Sequence, residues 1–228
     1  MSNIDFSTNP NQRTPCVLVL DASGSMGEQT STGRTRIDEL NDGVAVFENA
    51  LKADDTAIAR VLLSIVSVGG PNNDAELMME WTDAINFDAF DLAIGGATPL
   101  GKGLLMALEL VEDAKNEMKH NGISYTRPWI IVISDGAPTD NTDQWNRAVK
   151  ECLDAEKNKR VEIFSIGVEG ADLNKLAEFS NKPPLMLAGM KFEELFVWLS
   201  SSLSAASRSR PGDSVQLPST DPWRYVGI

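Results

Sequence analysis

Cys16-Val17-Leu18-Val19-Leu20-Asp21-Ala22-Ser23-Gly24-Ser25 joins an apolar run of five residues to a carboxylate and two hydroxyls spaced at i, i+2 and i+4. An unbroken apolar run closed by Ser and Gly is the pattern of a strand buried on both faces that ends in a tight loop. Around it, strand-like and helix-like stretches alternate, as a mostly parallel sheet with helices on both faces requires. The first strand is expected near residues 15 to 21. A helix follows, with Ile37, Leu40, Val44, Phe47 and Leu51 in a stripe at steps of three and four. Residues 57 to 68 read as one long central strand. Gly69-Gly70-Pro71-Asn72-Asn73-Asp74 is then a turn short enough for a hairpin. The strand near 75 to 81 is therefore expected to be antiparallel and at the sheet edge. Leu100, Leu104, Leu108 and Val111 mark a helix opening at Pro99. A strand at 128 to 134, a helix at 143 to 158, a strand at 161 to 167, a short helix at 172 to 180, a short strand at 185 to 187 and a helix at 191 to 205 complete the pattern. The expected fold class is α/β: a three-layer, doubly wound (Rossmann-like), mostly parallel sheet with one antiparallel edge strand.

Two further stretches carry oxygen donors at the ends of apolar elements. Gly95-Gly96-Ala97-Thr98-Pro99-Leu100 puts a hydroxyl just before a helix. Ile130-Ile131-Val132-Ile133-Ser134-Asp135-Gly136 puts a second carboxylate after a strand. In an open α/β sheet the loops at the carboxyl ends of neighbouring strands meet in one crevice. Asp21, Ser23, Ser25, Thr98 and Asp135 are thus the candidate site. Taken singly, each hydroxyl has an ordinary explanation as a turn or helix-cap residue. Asp21 and Asp135 are harder to explain that way, because each ends an aliphatic run where an unpaired carboxylate is costly. Two such acids in one crevice repel, and a divalent cation removes the repulsion. Oxygen donors without imidazole or thiolate suit a hard ion, Mg²⁺ or Mn²⁺. Gly24 and Gly136 would let the backbone turn close to it.

Asp-x-Ser-x-Ser, then Thr in a Gly-rich loop, then a strand-terminal Asp resembles the metal-ion-dependent adhesion site of von Willebrand factor A (vWA) domains. The resemblance covers roughly residues 14 to 205, and all five expected positions are filled in order. It leaves residues 1 to 13 as an N-terminal extension and 206 to 228 as a C-terminal tail. Ala97-Thr98-Pro99-Leu100-Gly101 is most similar to the bacterial tellurium-resistance-associated (TerY-like) members. The resemblance implies that Ser23, Ser25 and Thr98 coordinate directly, while Asp21 and Asp135 act largely through bound waters. It also implies an open coordination position, filled by an acidic residue of a protein partner. A stress-resistance or defence setting, beside a kinase or phosphatase of the same system, follows from the narrower likeness.

The 228-residue chain, 42% hydrophobic and 23% charged, is long enough for one substantial domain. No apolar stretch approaches the roughly 20 residues that span a bilayer. The N-terminus Met1-Ser2-Asn3-Ile4-Asp5-Phe6 has no basic region or apolar core of a secretory signal. Cys16 and Cys152 fall in an expected strand and helix, as buried free thiols of a reducing compartment. A cytoplasmic location is therefore expected. A net charge of −13 leaves no cation surplus for nucleic acid or for an anionic membrane.

An enzymatic alternative uses the same first loop. Haloacid-dehalogenase-type phosphohydrolases begin with a strand-terminal Asp, which would make Asp21 a nucleophile. That class expects a second Asp two residues on, where this chain has Ser23. The single histidine, His120, lies at a polar helix end and is a poor general base. No nucleophile elbow or phosphate-binding Gly-rich Lys motif occurs. The expectation is a binding module and not an enzyme.

Three segments remain open. The polar stretch between Met26 and Arg36 is longer than the motif needs, and reads either as a partner contact or as a mobile loop. Asp140 reads as a rim residue or, more simply, an exposed loop acid. The tail, with Trp223 and Tyr225, either packs on its own domain or docks elsewhere.

Overall fold

The computed structural model describes residues 9, 11–30, 32–187, 191–209 and 215–221. Six strands, β1 (Thr14–Ala22), β2 (Val61–Gly69), β3 (Asp74–Asp83), β4 (Trp129–Ser134), β5 (Glu162–Gly167) and β6 (Leu185–Met186), form one sheet in the order β3-β2-β1-β4-β5-β6. All pairings are parallel except β2 with β3, the hairpin at the edge. Helices α1 (Arg36–Lys52), α2 (Asp55–Arg60), α3 (Leu100–His120), α4 (Thr142–Lys157), α5 (Leu173–Ala177) and α6 (Phe192–Ser207) cover its two faces.

The alternation of side chains along a strand divides the core in two. Cys16, Leu18 and Leu20 of β1, with Trp129, Ile131 and Ile133 of β4, meet Phe47 of α1 and Phe192, Phe196 and Leu199 of α6. Val17 and Val19, with Ile130 and Val132, meet Leu104, Leu108 and Val111 of α3 and Trp145 and Cys152 of α4. Both faces of β1 and β4 are thus dry, which explains their continuous apolar runs. The sheet reverses its winding at β1, which has β2 on one side and β4 on the other. Their loops diverge there and leave the crevice where α/β folds place ligands.

Three expectations are corrected. Residues 57 to 60 are not strand: Asp54 caps a short helix through Thr56 N and Ala57 N, both at 2.8 Å, and β2 starts only at Val61. The apolar residues there satisfy either period, and the cap tips the balance. The helix expected at 172 to 180 is limited to Leu173–Ala177. The described residues of the segment after Met26 are bonded to one another and to α1, against the mobile-loop reading. Gln29 bridges to Thr35, Thr35 and Asp38 form a capping box for α1, and the hydroxyls of Thr30 and Thr32 donate to Glu39. Of the tail, Pro218 accepts a bond from Trp198 Nε1 at 2.9 Å and Leu217 packs on the core. Trp223 and Tyr225 lie outside the described residues.

Candidate metal centre

Asp21 is the penultimate residue of β1, and the packing around the strand leaves it fully buried, at 0% exposure. Its two oxygens are both bonded. Oδ1 accepts from the Ser23 amide at 2.9 Å, and Oδ2 accepts from the Ser134 hydroxyl at 2.6 Å. Burial holds this carboxyl above the ordinary range; the Ser134 and Ser23 bonds oppose that shift, and the charge of Asp135 adds to it.

Ser23 begins the turn after β1, and its carbonyl accepts from Met26 N at 3.0 Å. The turn presents Ser23 Oγ and Ser25 Oγ 3.0 Å apart. Ser25 Oγ donates a short bond to Asp135 Oδ2, linking the β1 loop to the β4 loop. Asp135, 8% exposed, also accepts from Ala137 N at 3.2 Å. Every group bonded to the two acids is neutral. The neighbouring cation, Arg36, is committed to the Ser25 carbonyl at 3.1 Å and to Glu28 at 3.0 Å. Gly136 turns the chain out of β4 with φ 73, the left-handed region that a side chain disfavours.

Thr98 reaches the crevice through its main chain. The loop carrying it lies across the ends of β1 and β2. Gly95 N donates to Ala22 O at 2.8 Å, and a Cβ on Gly95 would fall 1.5 Å from the Gly70 oxygen. Asn73, itself at φ 55, accepts from the amides of Gly96 and Ala97 with its side-chain oxygen. Thr98 N donates to Thr139 Oγ1 at 3.0 Å, and Thr98 O accepts from Thr139 N at 2.9 Å. The bonds described therefore join Ser23, Ser25 and Asp135 side chain to side chain and Asp21 to Ser23 through the Ser23 amide, and they tie Thr98 by its backbone to Thr139, on the loop that follows Asp135.

Sequence reasoning missed three contributors. Ser134 bonds Asp21 and accepts from Gly136 N at 3.0 Å; a hydroxyl closing the run Ile130–Ile133 was its signal. Asn73 and Thr139 gave none, because turn-rich stretches carry such residues routinely. Asp140 is not an exposed loop acid: it is half-buried and bonded to the start of α3.

The donor set fits a hard divalent ion. It holds two acids linked through the neutral hydroxyls of Ser23 and Ser25, with Thr98 on a loop bonded to the one that follows Asp135, and one acid is charged only at a cost that a cation would offset. A model of the von Willebrand factor type A domain matches residues 16–196. The chain belongs to this family. No curated protein sequence matches it. Among solved structures this A domain is similar to the pilus adhesin SpaC from Lactobacillus rhamnosus GG in its open conformation. The TM-score is 0.67 at 15% identity, over 86% of this chain and 31% of that one. It is also similar to the vWF domain of the type V pili tip protein Mfa5 from Porphyromonas gingivalis, with TM-score 0.62, 13% identity, and 89% and 99% of the two chains covered. For a D319A mutant of the PilB minor pilin from Streptococcus sanguinis the values are 0.60, 11%, 89% and 63%. The A domain spans about a third of the length of SpaC. At these identities the likeness concerns the fold. Among the described residues, no helix is long and apolar enough to cross a membrane.

Proposed function

We propose that this A domain is a divalent-cation-dependent protein-binding module, with Mg²⁺ or Mn²⁺ held at Asp21, Ser23, Ser25, Thr98 and Asp135. The observation that carries the reading is the pair of acids at the ends of β1 and β4, bonded only by neutral hydroxyls and amides. The three hydroxyl side chains are suited to direct coordination. Both oxygens of Asp21 already accept bonds, which suits it to acting on the ion indirectly, by charge and through the groups it holds. An ion ligated mainly by neutral oxygens keeps enough positive charge to attract an outside carboxylate. The partner is accordingly a protein presenting Asp or Glu. A kinase or phosphatase of a tellurium-type stress or defence system fits the resemblance of Ala97–Gly101.

A cytoplasmic location accords with Cys16 and Cys152, both free and buried; cell fractionation tests it. The module reading excludes catalysis by Asp21. A phosphohydrolase nucleophile must reach substrate, whereas Asp21 has 0% exposure and two occupied oxygens. Calorimetry with Mn²⁺ tests the centre: the wild type binds, and Asp21→Ala and Asp135→Ala do not. Unchanged affinity in both variants removes the assignment, and a partner that binds equally well in excess EDTA removes the recognition mechanism.

A further inference from the structure

The loop after β4 does more than carry Asp135. Four residues on, Thr139 grips Thr98 by both its amide and its carbonyl, at 3.0 and 2.9 Å. The next residue, Asp140, accepts from Gly101 N through Oδ2 at 2.8 Å and from Lys102 N through Oδ1 at 3.0 Å. These amides belong to the first turn of α3, where N–H groups have no partner within the helix. A carboxylate there also meets the positive end of the helix dipole. The approach is close at Gly101, where a Cβ would lie 3.1 Å from Asp140 Oδ1. Pro99, at the N-cap, offers no side-chain bond of its own. The start of α3 is thus capped from another loop, and that loop is the one bearing Asp135.

We propose that Asp140, seconded by Thr139, is a positioning residue for the metal centre: it clamps the first turn of α3 to the β4 loop and so fixes Thr98 against Asp135. This rests on the metal reading above and deepens it. Asp21, Ser23 and Ser25 are set by β1 and its turn, but Thr98 follows a long irregular connection from β3. Its distance from the other donors is therefore not fixed by the sheet. Gly95 and Asn73 hold the loop on the β1–β2 side, and the four bonds of the clamp hold Thr98 to the β4 loop that carries Asp135. Loosening the clamp lets Thr98 drift and weakens ion binding without removing any donor.

The test uses the full chain and Mn²⁺ alone, read by calorimetry, with urea unfolding alongside. Asp140→Ala should lower Mn²⁺ affinity about tenfold, the usual scale for losing a group that orients a metal donor. Thr139→Val should lower it by less. Asp140→Ala added to Thr98→Ala should cause no further loss, because both act through one side chain. Asp54→Ala, which removes the remote cap of α2, is the control for stability alone; it should lower the unfolding midpoint and leave affinity unchanged. Intact affinity in Asp140→Ala, beside lost affinity in Asp21→Ala, overturns the positioning role and spares the metal centre. Additive losses in the double variant, or an equal loss in Asp54→Ala, overturn it too. A wild type that takes up no Mn²⁺ overturns both.

Discussion

Arg13 and Asp21 stand at opposite ends of the same strand, and both are buried, at 1% and 0% exposure. At the Arg13 end the protein supplies its own counter-charge: the guanidinium meets Asp83, at the end of the edge strand β3. Burial still lowers the Arg13 pKa to about 10. At the Asp21 end the nearest charge is another acid, Asp135, which raises the pKa of Asp21 further. Charge is thus paired with its opposite at one end of β1 and faces a like charge at the other. On the metal reading proposed above, an ion from outside the chain completes that second end.

The largest expected effect breaks the paired end. Arg13→Ala leaves Asp83, itself 20% exposed, without its cation and should cost about 2–3 kcal/mol, at or below the scale for removing one partner of a buried pair. Urea unfolding reads it, and Mg²⁺ should not restore the loss. Next, Mg²⁺ at a hundredfold excess over its dissociation constant should stabilise the wild type by about 2.7 kcal/mol. The same addition should do nothing for Asp135→Ala in thermal melts. A wild type indifferent to Mg²⁺ would mean that the two ends differ in no functional sense.

Ser134→Ala removes a donor to Asp21 and an acceptor for Gly136 N. It should cost about 1–2 kcal/mol in EDTA, as one buried bond network is left open. The smallest effect is a pH dependence. Because the folded-state pKa of Asp21 is raised, the folded chain holds that proton more tightly than the unfolded chain. Stability from this group is therefore present at low pH and is lost as pH rises through its folded value. Measured against Asp21→Asn in EDTA, which cancels the other titrations, the wild type should gain stability on acidification. A difference that stays flat with pH would show that Asp21 is already neutralised within the protein.

Strand and helix order was legible because β1 and β4 are buried on both faces, so their composition is dominated by a single demand. The edge hairpin was legible through its turn, where Gly69 and Gly70 have φ of 100 and 60. The misread stretch, residues 57 to 60, is one where apolar residues satisfy either period and a side chain outside the stretch, Asp54, makes the choice. Asp21 and Asp135 stood out as candidates because each is a carboxylate where an aliphatic run stops, and Ser23, Ser25 and Thr98 because each is a hydroxyl in a Gly-containing loop beside an apolar element. Asp140 was visible as an acid but not as a cap, since its acceptors serve amides 38 and 39 residues away.

The sequence by itself determined the layered α/β class, the edge hairpin and the donor types Asp, Ser and Thr, because periodicity and local turn chemistry are properties of neighbouring residues. Only the tertiary structure decided which charges are compensated. Arg13 meets Asp83, and Asp21 faces Asp135, through packing between strands that lie far apart along the chain. It alone decided, too, that the loop after β4 would hold the start of α3, because hydrogen bonds between loops depend on where the sheet has already put them.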